Sequence, residues 1–186
     1  MTNPIAVQTK WVIDPTHSEI HFKVKHMMVS TVTGAFREFE GSAQSDSEDF
    51  QGADISFSAN IDSIDTNNKQ RDDHLKSDDF FNAAQFPKLS FQSTSFTKKA
   101  NSDYELVGNL TIRDHTREVK LNVEYNGTAI DPYGQTKAGF EITGKINRKE
   151  FGLKWGAITE AGGVVVSDEV RLVLNVQLVQ EQAQEG

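Results

Sequence analysis

Most of the chain alternates apolar and polar residues with a period of two, which is the pattern of half-buried antiparallel strands. Between residues 18 and 25, Ile20, Phe22 and Val24 face one way and the residues between them are polar. Residues 53–61 alternate in the same manner without an error. Further stretches with this pattern are residues 89–91, 104–112, 119–125, 138–146 and 170–178.

The run from Thr31 to Asp46 contains one phase slip, because Phe36 and Phe39 are three residues apart. A β-bulge at Arg37 and Glu38 would restore the alternation and help the sheet to curl. Long alternating strands with interior glycines favour a closed, tilted barrel over a flat sandwich. The pattern therefore predicts an all-β fold, an antiparallel up-and-down barrel of about eight strands.

One stretch departs from this pattern and predicts a short helical cap near residues 67–82. Asn67 is the expected N-cap, with Gln70 as its capping-box partner. Ser77, followed by two aspartates, predicts a second helical start. The helix body has a single large apolar residue, so its flanks must anchor it across one opening of the barrel. The expected anchors are Ile64, Phe80, Phe81 and Phe86.

The interior of the predicted barrel decides the function, since a barrel of about eight strands is either filled by side chains or holds one small ligand. Small inward residues would leave volume unfilled, and they are Gly34, Gly41, Ala43, Ala53, Ala59, Gly108 and Gly144. We predict a dry tunnel lined by Phe22, Val24, Phe36, Ile55, Phe57, Ile61, Phe91, Leu110, Ile112, Phe140, Ile142, Trp155, Leu172 and Leu174. Trp155 is expected to close the end opposite the cap or to pack there without a further role. A solid core, in which small residues only relieve crowding, stays open as the opposite interpretation.

Composition narrows the classes of partner. The chain has 19 Lys and Arg against 27 Asp and Glu, a net charge of −8, which argues against nucleic acid or an anionic membrane as the main ligand. The absence of cysteine excludes disulfides and thiolate sites. The first residues have neither a signal peptide nor an apolar span, so we expect a cytoplasmic protein, or a periplasmic one if a signal peptide has been removed. One domain over residues 9–180 is expected, between a flexible tail of residues 1–8 and a disordered tail of residues 181–186.

No catalytic motif is present, and we predict no catalytic residue, no cofactor and no metal site. His17 and His21 would share a strand face about 13 Å apart, too far to ligate one ion together. Arg71, His74 and Arg148 are instead candidates for binding the head group of an amphiphile. The alternative for Arg71 and His74 is ion pairing with the adjacent Asp72, Asp73 and Asp78.

Five segments resemble the YceI-like family, in order from Trp11 to about Leu178. They are WVIDPTHSEIHFKVKHM, GAFREFEG, IDTNNKQRDDHLKSDDFFNAAQFPKLSF, GNLTIRDHTREVKLNV and NRKEFGL. The resemblance implies a lipocalin-like barrel that binds a polyisoprenoid or similar long-chain amphiphile in an apolar tunnel. It brings no established catalytic residues.

Three functions follow from this reading. The first is a non-catalytic carrier, storage or stress-related protein for a long isoprenoid or acyl chain, without nucleic-acid binding or stable membrane insertion; a homodimer is left open. The second is an enzyme that acts on a bound isoprenoid or lipid through His74 or His115. The third is a structural stress-response protein with a solid core.

Overall fold

The computed structural model describes residues 8–47, 49–156 and 165–181, so the predicted tails at residues 1–8 and 181–186 lie almost wholly outside it. Helix α1 spans Lys69–Lys76. The strands are β1 (Thr9–Ile13), β2 (Glu19–His26), β3 (Ser30–Phe36), β4 (Phe39–Ser45), β5 (Asp54–Asn60), β6 (Ile64–Asp65), β7 (Lys88–Ala100), β8 (Asp103–Ile112), β9 (His115–Ile130), β10 (Thr136–Asn147) and β11 (Val166–Gln180).

The strands form one antiparallel sheet that closes on itself. Its ring runs β1-β4-β5-β7-β8-β9-β10-β11 and returns to β1. β11 is long enough to pair with β2 through its first half and with β1 through its last residues. Beyond the ring, β2, β3 and β6 extend the same sheet from the first half of β11. The wall is interrupted where the chain breaks between β1 and β2, between β3 and β4 and between β5 and β6. The predicted closed all-β barrel of eight strands is confirmed.

The phase slip between Phe36 and Phe39 is a break between two strands, so the predicted bulge is wrong. β3 ends at Phe36 and pairs with β2 and β6, whereas β4 begins at Phe39 and pairs with β1 and β5. Arg37 N donates to the Ser63 carbonyl across the bend. A register shift does occur in β7, between Ser93 and Ser95. The interruptions and the shift let the long strands coil into a barrel.

A partly buried carboxylate holds the junction between β1 and β2. The Asp14 side chain is 12% exposed. It accepts hydrogen bonds from the Thr16 backbone N–H and hydroxyl, at 3.0 and 2.7 Å. His17 Nδ1 lies 2.9 Å from Asp14, and Lys137 Nζ of β10 lies 3.2 Å from it. Burial by itself would raise the pKa of Asp14, but the hydrogen bonds from Thr16, His17 and Lys137 together lower that pKa well below its ordinary value.

The cap is a single helix that begins one residue later than predicted. Asn68 is the N-cap, and its Oδ1 accepts from the Arg71 backbone N–H at 3.0 Å. Asn67 has a φ of 64° and cannot fill that role. The second helical start at Ser77 is also wrong, because residues 78–81 form turns. Three of the expected anchors are buried, Ile64, Phe80 and Phe81, and Phe86 is half-buried.

Rings from neighbouring strands cover inward-facing glycines. A Cβ added at Gly34 would lie 2.2 Å from the Phe22 ring, and one added at Gly108 would lie 2.4 Å from the Phe91 ring. Leu121 covers Gly144 in the same way. These glycines therefore leave no empty volume above themselves, contrary to the expectation from the sequence. They allow a large apolar side chain to lie flat against the wall of the barrel.

Replacing Asp14 by Asn should destabilise the fold by about 1–3 kcal/mol at pH 7, because the charged hydrogen bonds to Thr16 and Lys137 are lost. A lowered folded-state pKa means that this stabilisation is present above the unfolded-state pKa of about 3.9 and is lost as the pH falls further. Urea unfolding of both proteins between pH 3 and pH 8 measures the difference. A gap in unfolding free energy that does not narrow below pH 4 would contradict this role.

Candidate functional site

The barrel encloses a cavity of about 390 Å³, within the usual range of about 300–1,000 Å³ for small-molecule sites. Side chains from strands around the ring and from the cap line this cavity, and most of them are apolar. Several wall residues are only half-buried although they face inward, among them Phe22, Phe57, Ile142 and Leu174. The open volume accounts for that exposure, and it is not compatible with a solid core.

The structure brings nearly all the predicted lining residues together. The residues on the cavity wall are Phe22, Val24, Phe36, Ile55, Phe57, Phe91, Leu110, Ile112, Phe140, Ile142, Trp155, Leu172 and Leu174. Ile61 is the exception, because it begins a short 3₁₀ turn after β5 and is 1% exposed without reaching the cavity. Period-two alternation identifies the inward face, but it does not indicate where a strand ends and its residues turn away.

An aromatic cluster closes the end of the barrel far from α1. Phe50 lies at its centre, 2% exposed, with ring centroids 5.0 Å from Trp11, 5.1 Å from Phe140 and 5.5 Å from Tyr125. The Tyr104 hydroxyl donates to the carbonyl of Asp49 beside it. The sequence analysis missed Phe50, since the connection between β4 and β5 has no periodicity. A lone phenylalanine in this Ser- and Asp-rich connection is the signal that could have identified it.

Three aromatic side chains meet at the other end, beneath the cap. The Trp155 ring lies 4.9 Å from the His74 ring and 5.5 Å from the Phe80 ring, and His74 and Phe80 are 5.2 Å apart. Trp155 therefore lies at the same end as the cap, and its predicted position at the opposite end is wrong. The His74 side chain lines the cavity and is 39% exposed, so this end of the cavity approaches solvent.

Arg71 lies on the cavity wall at this same end. Its Nε donates to Thr66 Oγ1 at 2.7 Å and its Nη2 donates to the Thr66 carbonyl at 2.5 Å. Asp72, the neighbouring carboxylate, accepts instead from the Thr66 backbone N–H at 2.8 Å. Within the described ranges, the Arg71 Nη1 group donates to no protein acceptor. Thr66 thus fixes one side of the guanidinium, and the other side retains donors.

His74 is the second candidate at this end, and it has a carboxylate partner. Its Nε2 lies 2.8 Å from Asp79 Oδ2, so its partner is not one of Asp72, Asp73 and Asp78, which the sequence suggested. His115, the other histidine considered for catalysis, does not line the cavity, and its ring packs against Gly152. Among residues 8–47, 49–156 and 165–181, no group of three or more His, Asp and Glu side chains could hold a metal ion.

Arg148 also reaches the cavity wall, but its donors are directed to the backbone. Nε donates to the Ser167 carbonyl, Nη1 to the carbonyls of Leu153 and Trp155 at 2.6 Å each, and Nη2 to that of Val166. The residue is 3% exposed, and burial lowers the pKa of Arg148 while nearby Asp168 opposes that shift. This arrangement supports a structural role, which joins the segment after β10 to the start of β11, in place of head-group binding.

Comparison with known proteins places the chain among proteins of similar length and the same fold. The model of the YceI-like domain family matches residues 11–178. A UPF0312 protein of Staphylococcus epidermidis is 38% identical over 164 residues, which cover 88% of this chain and 93% of that protein.

Two solved structures extend this likeness to three dimensions. The YCEI protein of Campylobacter jejuni matches with a TM-score of 0.73 and 29% identity, over 86% of this chain and 91% of that one. A polyisoprenoid binding domain from Saccharophagus degradans matches with a TM-score of 0.63 and 14% identity, over 92% of this chain and 98% of that one. At such low identity, the second match shows the fold alone.

In the part of the chain that the structure describes, no helix has the length and apolar character needed to cross a membrane.

Replacing Arg148 by Met should destabilise the protein by roughly 3 kcal/mol, because buried backbone carbonyls lose their donors while the side-chain volume is nearly kept. Thermal and urea unfolding measure this loss. Lys149→Met is the matched control, since that neighbouring side chain is 52% exposed and should change stability by no more than about 0.5 kcal/mol. Equal stability of the two variants would contradict the structural role of Arg148.

Proposed function

The chain belongs to the YceI-like family, and on that premise we propose that it binds a long isoprenoid or similar amphiphilic lipid, as a carrier or storage protein. The observation that carries the proposal is the apolar cavity of about 390 Å³ inside a closed barrel. Its far end is closed by the aromatic cluster around Phe50, and its capped end carries polar groups. A hydrocarbon tail with one polar terminus matches this asymmetry.

Burial of hydrocarbon would supply the affinity. Removing apolar surface from water contributes about 0.8 kcal/mol per buried CH₂, so each five-carbon unit would gain about 4 kcal/mol. Association costs about 4–15 kcal/mol in lost freedom of motion. A ligand that buries several such units would therefore bind, whereas a single unit would not. The name of the Saccharophagus degradans domain, a polyisoprenoid binding domain, supports this class of ligand.

Arg71 and His74 are the residues we assign to the head group. Arg71 lies at the capped end with donors left over after its contacts to Thr66, and a phosphate or carboxylate there would accept charge-assisted hydrogen bonds. His74 is half-exposed beside it on the same helix. Arg148 is left out, because backbone carbonyls already occupy its donors.

Native mass spectrometry of freshly purified protein, followed by organic extraction, should detect a bound apolar ligand. Ile142→Asp should abolish it, because a carboxylate on the cavity wall would be buried without a partner. Thr143→Asp is the matched control, since the adjacent side chain of β10 faces solvent and should leave the ligand in place.

Leu174→Trp tests the same cavity by volume instead of charge. The larger side chain should occupy part of the space and reduce the bound ligand, while unfolding measurements show whether the barrel is intact. Wild-type protein that yields no ligand, and takes up no added prenyl alcohol or prenyl phosphate, would contradict lipid binding.

The assignment of Arg71 predicts a preference for charged head groups. Wild-type protein should bind a prenyl phosphate about tenfold more tightly than the alcohol of equal chain length, and Arg71→Gln should lose most of that preference. Competition with a fluorescent lipid measures both affinities. The control is Arg37→Gln, an exposed arginine paired with Asp65 away from the cavity wall. An undiminished preference in Arg71→Gln would remove this residue from the head-group site.

A further inference from the structure

The turn between β2 and β3 exposes a run of large apolar side chains. Met27, Met28 and Val29 are 48, 64 and 82% exposed. They are three of the five large apolar side chains that are exposed among the described residues, and they are consecutive. Because isolated exposed apolar residues are common but contiguous ones indicate an interaction site, this turn is a candidate contact surface.

The backbone conformation of this turn does not favour the methionines that occupy it. Met27 and Met28 have φ values of 52° and 60°, and Val29 N donates to the His26 carbonyl at 3.1 Å. Two central residues with positive φ are typical of a type I′ hairpin turn, where Asn-Gly is preferred. Two methionines at these positions oppose the local conformational preference and increase the exposed apolar area. Neither effect benefits the stability of the isolated barrel.

The turn is continuous with the capped end of the cavity. Met27 N donates to the Val165 carbonyl at 2.8 Å, and His26 pairs with Val166 of β11. Val24, His26 and Val166 all line the cavity. The exposed apolar run therefore lies directly beside the end of the cavity that approaches solvent.

A row of cations crosses the outer wall below this turn. Lys23 of β2 is opposite Arg171 of β11, which is opposite Lys145 of β10, and all three side chains are exposed. Like charges directly opposite each other destabilise a sheet. Among the described residues, the one carboxylate within 4.0 Å of them is Glu169, 3.8 Å from Lys145 Nζ. A local cationic row in a chain of net charge −8 suits an anionic partner.

We propose that the β2–β3 turn and the row Lys23–Arg171–Lys145 form a contact surface for anionic phospholipid bilayers. Four residues of strand separate Lys23 from Met27, about 13 Å. Apolar side chains that enter the interface by about 5–10 Å would thus bring the cations near the level of the lipid phosphates. The contact places the capped end of the cavity against the membrane. The contact is peripheral.

Vesicle sedimentation tests this contact independently of the cavity ligand. Wild-type protein should bind vesicles of phosphatidylcholine with phosphatidylglycerol more strongly than vesicles of phosphatidylcholine alone, and added salt should weaken binding. Binding is measured on protein from which the apolar ligand has been extracted, so a failure of lipid storage does not affect the result. No binding to the anionic vesicles at low salt would overturn the proposal.

Two variants test separately how the apolar turn and the cationic row contribute to vesicle binding. M27N/M28G installs the preferred turn residues, so the protein should be as stable as wild type or more so, yet its vesicle binding should fall about tenfold. K23Q/R171Q should reduce binding to anionic vesicles by about tenfold and leave the weak binding to neutral vesicles unchanged.

The matched controls lie at the other end of the barrel. I130N/Y133N removes two apolar side chains that are 73 and 91% exposed at the turn between β9 and β10. K98Q/K99Q removes two cations at the distal end of β7. Both should bind vesicles like wild type. If the turn and row variants bind like these controls, the surface does not contact membranes.

Discussion

Closure of the sheet between β1 and β11 is the constraint on which the remaining structure depends. β1 pairs with the last residues of β11 through Trp11, Val12 and Ile13. Both strands are therefore hydrogen-bonded along edges that would be free in an open sheet. A closed sheet has one enclosed face, and alternate residues of every strand must point into it. Most of those residues are apolar, so the enclosed face is apolar as well.

Large side chains that lie flat against the wall determine how much of this space stays open. The Phe22 ring covers Gly34, and the Phe91 ring covers Gly108, so each ring is held against a neighbouring strand and does not reach across the barrel. A β-carbon at either glycine would push the ring inward and reduce the cavity. Glycine thus contributes to the cavity indirectly, through the position that it permits for its neighbour.

The two ends of the barrel differ in chemistry, and this difference gives the cavity a direction. Around Phe50, aromatic rings pack together and the Tyr104 hydroxyl satisfies a backbone carbonyl. Beneath α1, by contrast, His74 and Arg71 combine contact with the cavity and contact with solvent. The cap itself contributes little apolar surface, so its aromatic flanks and its hydrogen bonds to Thr66 hold it in place.

Periodicity along the chain determined the strands, their inward faces and nearly the whole cavity lining, because the buried face of a strand can be identified from the apolar residues at every second position. Pairing between distant strands is not contained in that local signal. Tertiary structure alone decided that the slip at Phe36 is a break, that Phe50 closes one end, and that Trp155 lies under the cap. It also decided that backbone carbonyls occupy the donors of Arg148 whereas Arg71 retains some, since the partners of a side chain depend on which segments closure brings together.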